Sequence, residues 1–114
     1  MRWFRNASFQ LFKKVESVKH EITATVSAVT REEFWVTYYG AYNIHPRHLV
    51  FWNCLRTDVE KQRLQADDVL KLNLRQHLIQ YDYPLEGRES VHIGFESQET
   101  VDRESSGDWL AHWK

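Results

Sequence analysis

The sequence is poor in cysteine, proline and glycine, and these shortages exclude several kinds of structure. A single cysteine rules out a disulfide within the chain and is typical of a reducing compartment, so we expect a cytoplasmic protein. The four glycines are isolated and cannot form the glycine-rich loop that holds phosphates in common nucleotide sites. No apolar run approaches the ~20 residues of a membrane span. Arginine and lysine also interrupt the N-terminal region, where a secretion signal would need an apolar core.

Aromatic residues, in contrast, are plentiful. The 114 residues include five Trp, five Tyr and six Phe, or 14% of the chain. A chain of this length is one domain, here residues 1–114, and buries roughly 65% of its unfolded surface, enough for a core without disulfides or metals. We therefore expect a core led by aromatic side chains, with some of them left on the surface as contacts.

The charge is unevenly distributed along the chain. The net charge of −1 argues neither for nor against nucleic-acid binding. Residues 1–20 carry five basic residues against Glu16, a local balance of +4, whereas residues 82–108 carry eight acids against two arginines, a local balance of −6. The two segments either attract each other or face different partners.

The N-terminal third of the chain has a helical pattern. Between residues 8 and 22, apolar residues recur at intervals of three and four, which predicts an amphipathic helix. Residues 22–29 alternate like a strand but also continue the helical stripe. No turn residue separates the two patterns, which favours one long helix to about residue 33. A capping box at residues 30–33 would begin a further short helix, while residues 34–39 have the composition of a strand.

A β-α-β unit is predicted in the middle of the chain. Residues 48–57 are apolar on both faces, which is typical of a central strand. Thr57 and Asp58 can cap a helical turn through Leu64, a helix follows at residues 67–81, and a second strand follows at residues 89–96. In that strand alternation turns Val91, Ile93 and Phe95 to the core and His92, Gly94 and Glu96 outward. Ligands of such units gather beyond the carboxyl ends of the strands.

The C-terminal part predicts a short acidic helix capped by Ser97, followed by a Trp-rich tail. Trp109 and Trp113 should pack against the rest of the domain, and an edge strand is one structure in which the tail could do so. We therefore predict a small single-domain α+β sandwich. Because two strands alone are marginal, a further strand should come from residues 22–29, 34–42 or 108–113, or two chains should share a sheet as a homodimer.

The junction of strand 89–96 and the acidic helix is the strongest candidate site. It gathers His92, Glu96, Glu99 and Asp102 at the carboxyl end of a strand. Glu99 and Asp102 stand three apart on a helix and could share a metal ion, with His92 as a base, which would make a small metal-dependent hydrolase. His92 and Glu96 are too far apart for one ion, at roughly 13 Å along the strand. The simpler interpretation is a solvated helix start.

Other patterns are less specific. His45 and His48 have zinc-like spacing without a third ligand nearby. Cys54 lies in an apolar run, as buried inert thiols do. The aromatic run at residues 34–42 either fills the core or lines an interface. The N-terminal helix carries interleaved basic and aromatic residues, which suggest nucleic-acid binding: Arg2, Trp3, Phe4, Arg5, Lys13, Lys14 and Lys19. Packing of this helix on the domain's own core explains its apolar face more simply.

The leading functional hypothesis is a non-enzymatic protein-interaction module with an acidic C-terminal face. It predicts a basic partner protein, no membrane association, no cofactor and no metal. The metal-dependent hydrolase is the first alternative, and nucleic-acid binding, which we consider unlikely, is the second. The residues predicted to bind the partner are Glu96, Glu99, Asp102, Glu104, Asp108 and Trp109.

Overall fold

The computed structural model describes the backbone of residues 2–113 and the side chains of residues 7–113. These residues form a compact α+β domain, as predicted, with six helices and three strands in the described range. A single 3₁₀ turn occupies Pro46–His48. In chain order the elements are α1 Arg2–Ser27, β1 Trp35–Tyr39, β2 Val50–Leu55, α2 Asp58–Gln65, α3 Asp68–Gln80, α4 Leu85–Arg88, β3 His92–Ser97, α5 Gln98–Ser105 and α6 Trp109–His112.

The long N-terminal helix is confirmed, but it ends at Ser27 rather than near residue 33. Its buried positions are Val15, Val18, Ile22 and Val26, which follow the spacing of three and four that predicted it. Residues 22–27 are therefore helical, and the strand interpretation of 22–29 is wrong.

The predicted helix at residues 30–33 is also wrong, because its polar side chains bond to α2 instead. Glu32 accepts hydrogen bonds from the backbone N–H groups of Arg56 and Thr57, at 2.9 and 3.3 Å, and from the Thr57 hydroxyl at 2.6 Å. Thr30 donates its hydroxyl proton to Glu60. The supposed capping box thus supports the start of a helix that lies later in the sequence.

The three strands form a mixed sheet in the order β1-β2-β3. The third strand comes from the 34–42 segment and pairs antiparallel with β2, while β2 and β3 are parallel as the β-α-β pattern predicted. Both predicted strands are shorter than expected or shifted, with 48–57 reduced to β2 and 89–96 displaced to β3. The helix predicted at 67–81 is α3, capped by Asp67.

One face of the sheet packs on the main core. Val36, Phe51, Leu55 and Phe95 project from this face and are buried in one cluster with side chains of α1 and α3. The opposite face carries Trp35 and Tyr39 from β1, Trp52 and Cys54 from β2, and His92, Gly94 and Glu96 from β3. We predicted that His92, Gly94 and Glu96 face solvent, which is wrong for Gly94 and Glu96, because both residues are buried.

The C-terminal tail buries much of this second face, and it does so as a helix, not as an edge strand. Trp109 packs edge-on against Trp35 and Trp113 stacks on Trp52, each with ring centroids 4.8 Å apart. The chain reverses before α6 through Ser106 and Gly107, which both have positive φ. Within residues 2–113, no helix has both the length and the apolar character that crossing a membrane requires.

Candidate functional site

The carboxyl ends of β2 and β3 lie side by side, and a polar network joins them. Glu96, near the end of β3, accepts a hydrogen bond from Lys61 Nζ at 2.8 Å and contacts His112 Nε2 at 2.8 Å. Only 12% of the Glu96 side chain is exposed, and 18% of the Lys61 side chain. Burial by itself raises the pKa of Glu96, but the hydrogen bonds from Lys61, His112 and the Ser97 N–H outweigh burial and lower it.

Asp58, at the start of α2, is the second centre of this network. One carboxylate oxygen accepts the hydroxyl protons of Ser97 and Thr100, each at 2.6 Å. The other oxygen binds the Arg103 guanidinium at 2.8 Å. These three hydrogen bonds hold the pKa of Asp58 far below its usual range. The network therefore ties α2 to the first turns of α5.

Ser105, His112 and Glu96 form a hydrogen-bonded chain in the order of a serine-hydrolase triad. Ser105 Oγ lies 3.0 Å from His112 Nδ1, and His112 Nε2 lies 2.8 Å from Glu96. Both ring nitrogens are thus engaged within the protein, and Lys61 compensates the Glu96 charge. We interpret this chain as the contact that fastens the tail to β3.

Of the six residues predicted to bind a partner, the structure brings four carboxylates to the surface of α5 and the start of α6. We call this group the acidic surface: Glu99, Asp102, Glu104 and Asp108, all of them exposed. Glu96 lies behind them in the network described above, so its carboxylate is not presented to solvent. Trp109 is half-buried beside the acidic surface.

Local hydrogen bonds hold three of these four carboxylates in place. Glu99 accepts a hydrogen bond from the backbone N–H of Asp58 at 2.7 Å, and Asp102 accepts one from the Gln98 amide at 2.9 Å. Asp108 caps α6 by accepting from the Ala111 N–H. Among the side chains that the structure describes, none of the four forms an ion pair with a basic group, and Arg103 between them is bound to Asp58. The acidic surface therefore keeps its negative charge.

An aromatic cleft of about 300 Å³ adjoins the acidic surface. Gln98 connects the two, because it lines the cleft and also bonds Asp102 and the Trp109 indole N–H. Trp35 forms one wall and is 44% exposed. Arg56 lies in the cleft, where it pairs with Glu33 at 2.6 Å. The cleft thus already holds one guanidinium group next to aromatic and carboxylate side chains.

Glu99 and Asp102, the two residues considered as ligands of one metal ion, gain no third ligand among the residues that the structure describes. Within the described residues, no group of three or more His, Cys, Asp or Glu side chains is placed to hold a metal ion. The ring of His92 packs edge-on against that of Trp52, with the ring centroids 4.9 Å apart. Partial burial and the charge of Arg75 lower the pKa of His92.

The remaining candidates have structural roles. His45 accepts from the Arg47 N–H to start the 3₁₀ turn, and its ring lies 6.0 Å from that of His48. Cys54 is buried, and burial together with the Glu96 charge raises the pKa of its thiol to about 12. In the aromatic run, Tyr38 and Tyr42 pack on the core, as one of the two interpretations predicted, whereas Trp35 and Tyr39 are partly exposed.

The basic N-terminal residues lie partly outside the described side chains, which exclude those of Arg2, Trp3, Phe4 and Arg5. Lys13 lies over the Phe9 ring at 5.3 Å, and Lys19 over the Tyr38 ring at 5.9 Å. Lys14 pairs with Asp82, a contact between the basic and acidic segments. The described lysines thus also contact the protein's own side chains.

Sequence reasoning missed Lys61, His112 and Asp58 as parts of the site. Asp58 could have been found, because it comes three residues after the end of β2, at the carboxyl end where the parallel strands meet. No signal marked Lys61 or His112, since each reaches Glu96 from an element whose position depends on tertiary packing.

Comparison with protein-family models, with curated proteins and with solved structures gives no match to this chain.

Proposed function

We propose that this protein is a non-enzymatic interaction module that binds a cationic partner protein through the acidic surface. One observation carries the proposal: four exposed carboxylates lie together without a basic side chain paired to them among the described residues. Exposed like charges repel one another, and a partner with opposite charge relieves that repulsion and is steered toward the surface. Buried ionisable groups behind this surface hold α5 and α6 in position.

The aromatic cleft supplies the second part of the binding surface. Interfaces gain most of their affinity from buried aromatic and arginine side chains, with charged groups at the rim setting orientation and association rate. Trp35 and Trp109 are the anchors of the proposed interface, and Glu99, Asp102, Glu104 and Asp108 form its charged rim. A partner segment rich in arginine or lysine fits both features.

We place this interaction in the cytoplasm, because the lone buried thiol is in keeping with a reducing compartment. Catalysis is not part of the proposal. A homodimer is also proposed, although the three strands of β1, β2 and β3 remove the original reason for it, which was a sheet of two strands.

The test is affinity capture from native lysate with charge-reversed variants. Asp102→Lys combined with Glu104→Lys removes charge without removing a helix cap, whereas Glu99 bonds the start of α2 and Asp108 caps α6. Glu86→Lys combined with Glu89→Lys is the matched control, because these exposed acids also lie close together in sequence but before β3, at the opposite end of the sheet.

We expect the wild type and the control variant to capture the same basic protein and the Asp102/Glu104 variant to lose it. Retention of every captured protein by the Asp102/Glu104 variant would overturn the proposal. Circular dichroism of the three proteins establishes that any loss is not caused by unfolding.

A further inference from the structure

A cleft of about 340 Å³ is formed by α3, by α4 and by the residue that follows α4. Three aliphatic and three charged side chains line it: Leu78, Ile79, Leu85, Arg75, Arg88 and Glu89. Sites for small molecules have volumes from roughly 300 Å³ upward and combine apolar walls with a few polar groups. The cleft therefore has the size and composition of a site for a small ligand with an apolar part and a charged part.

Both arginines that line the cleft are held by neutral partners. Arg75 donates hydrogen bonds to the carbonyl oxygens of Val91 at 2.8 Å and of Arg88 at 2.9 Å. Arg88 donates two hydrogen bonds to the carbonyl oxygen of Tyr83, from Nε at 3.0 Å and from Nη2 at 2.6 Å. Backbone carbonyls orient a guanidinium group without neutralising it, so both positive charges remain.

These hydrogen bonds leave donors on both guanidinium groups. A guanidinium group has five N–H donors. Among the described residues, Nε of Arg75 and Nη1 of Arg88 have no acceptor. Only 20% of the Arg88 side chain is exposed, so water screens its charge less than at an open surface. The cleft therefore presents oriented N–H donors and positive charge to a ligand.

The charges around the cleft favour a ligand with a single negative charge. Arg75 bonds only to backbone carbonyls within the described part of the chain. Arg88 pairs at 3.6 Å with Asp82, which is 89% exposed and also pairs with Lys14. Glu89, an exposed residue, is the carboxylate among the six lining side chains. Two guanidinium groups against this carboxylate leave one positive charge, which matches a monoanion and not a dianion.

We propose that this cleft binds a small amphipathic carboxylate of the fatty-acid type. The aliphatic chain packs on Ile79 and Leu85, which are 53% and 75% exposed, and removes their surface from water. The carboxylate is bound by Arg75 and Arg88, because guanidinium donors match its two oxygens. None of these residues belongs to the acidic surface, so the site stands or fails independently of the proposed function.

Two-dimensional ¹⁵N NMR of the full chain, titrated with octanoate at neutral pH, tests the proposal. Octanoate should shift the amide signals of residues 75–91 and saturate with a dissociation constant below about 1 mM, a value suited to a ligand of about ten non-hydrogen atoms. Octylammonium has the same alkyl chain and the opposite charge, so it should bind at least about tenfold more weakly.

Two substitutions of exposed residues should change the affinity in opposite directions. Leu85→Asp replaces an apolar wall with a negative charge and should weaken octanoate binding at least about tenfold. Glu89→Gln removes the carboxylate that repels the ligand and should tighten binding by about twofold to fivefold. Val69→Asp is the matched control for Leu85→Asp, because Val69 is 68% exposed but lies outside the cleft at the start of α3. It should leave the affinity unchanged.

Arg75→Gln removes one of the two guanidinium groups and should also weaken binding at least about tenfold. Arg47→Gln is its control, because Arg47 is exposed and does not line the cleft. Arg75 also fastens residues 88–91 to α3, so circular dichroism of this variant is compared with that of the wild type. If Arg75→Gln does not fold, Leu85→Asp and Glu89→Gln decide the matter.

The absence of saturable shifts up to about 5 mM octanoate would overturn the proposal. Equal affinity for octanoate and octylammonium would also overturn it, since apolar contact alone would then explain binding. So would octanoate binding that Leu85→Asp leaves unchanged.

Discussion

At the scale of single residues, Glu96 shows how burial and pairing decide the role of a carboxylate. Its side chain lies between the tail and β3, where Lys61 and His112 contact its two oxygens. Removing water from a charged group is costly unless its partners replace the lost hydration. The pairing is therefore the reason that an ionised residue can occupy the face of the sheet.

Glu96→Gln should destabilise the protein by about 3 kcal/mol, because it leaves the Lys61 ammonium partly buried without its counter-charge. Glu104→Gln is the control, since an exposed carboxylate of α5 should change the free energy of unfolding by less than about 0.5 kcal/mol. Urea denaturation followed by tryptophan fluorescence measures both. Equal effects of the two substitutions would contradict the account of Glu96.

The pH dependence of stability should follow the carboxylates whose pKa is lowered. Hydrogen bonds from Arg63 and Thr30 lower the pKa of Glu60 to about 2, and the pKa values of Asp58 and Glu96 are lowered as well. Groups with depressed folded-state pKa values stabilise the protein above their unfolded values of about 4, and this contribution is lost as the pH falls toward the folded values.

The free energy of unfolding should therefore decrease steadily below about pH 4.5, and the lowered pKa of His92 should add a smaller decrease that begins as the pH falls below about 6.5. Urea titrations at a series of pH values measure this, and Glu96→Gln should show a shallower decrease than the wild type. Stability that rises on acidification would contradict the assigned pKa directions.

The structural role of a residue was predictable from the sequence where that role depends on neighbouring residues in the chain. Ser97 and Thr57 were predicted to cap helices, and each accepts a hydrogen bond from the N–H three residues later. Cys54 was predicted to be buried and is. Glu96 was predicted to face solvent but is buried. Alternation in a strand distinguishes the two faces of a sheet, but it does not reveal that a segment distant in sequence covers the second face.

At the scale of elements, α2 depends on a side chain from another part of the chain. Glu32 accepts three hydrogen bonds at the α2 start, two from backbone N–H groups that a helix cannot satisfy internally. Its neighbour Glu33 forms only an exposed ion pair with Arg56. Adjacent glutamates thus have very different structural roles.

Glu32→Ala should cost about 2 kcal/mol of stability, since it leaves the backbone N–H groups of Arg56 and Thr57 without their acceptor. Glu33→Ala should cost less than about 0.5 kcal/mol, as is usual for a surface ion pair. Thermal and urea denaturation of the two variants measure the difference, and a larger loss for Glu33→Ala would refute the capping role.

The docking of α6 depends on the aromatic contacts of the tail. Trp113→Ala removes the ring that stacks on Trp52, so we expect a loss of about 2 kcal/mol and faster hydrogen exchange in α6. Leu110→Ala should change stability little, because Leu110 projects into solvent. An unchanged exchange rate in Trp113→Ala would show that the tail is held in another way.

The elements predicted best were those with a strong pattern of their own. The apolar runs of β2 and β3 and the capped helix α3 identified the parallel unit, with bounds that differ by a few residues. The tail was predicted to dock, but the strand propensity of its tryptophans concealed the helix cap at Asp108. Residues 30–33 matched a capping box whose side chains bond across the fold, a contact that sequence spacing does not reveal.

At the scale of the whole molecule, the sheet separates a conventional core from a second face that a short tail covers. The helices α1 and α3 pack on the first face, while α6 packs on the second with Trp109 and Trp113. The acidic surface lies at the carboxyl ends of β2 and β3, where the sequence placed the candidate site.

The most direct test of the acidic surface is the salt dependence of binding to the captured partner. Dissociation constants of the wild type and of the Asp102→Lys, Glu104→Lys variant would be measured by calorimetry at low and at high ionic strength. We predict that salt weakens wild-type binding markedly, and that the variant binds more weakly at low salt and responds much less to salt, because screening acts on the charges it lacks. Equal affinity and equal salt dependence in the two proteins would contradict the account.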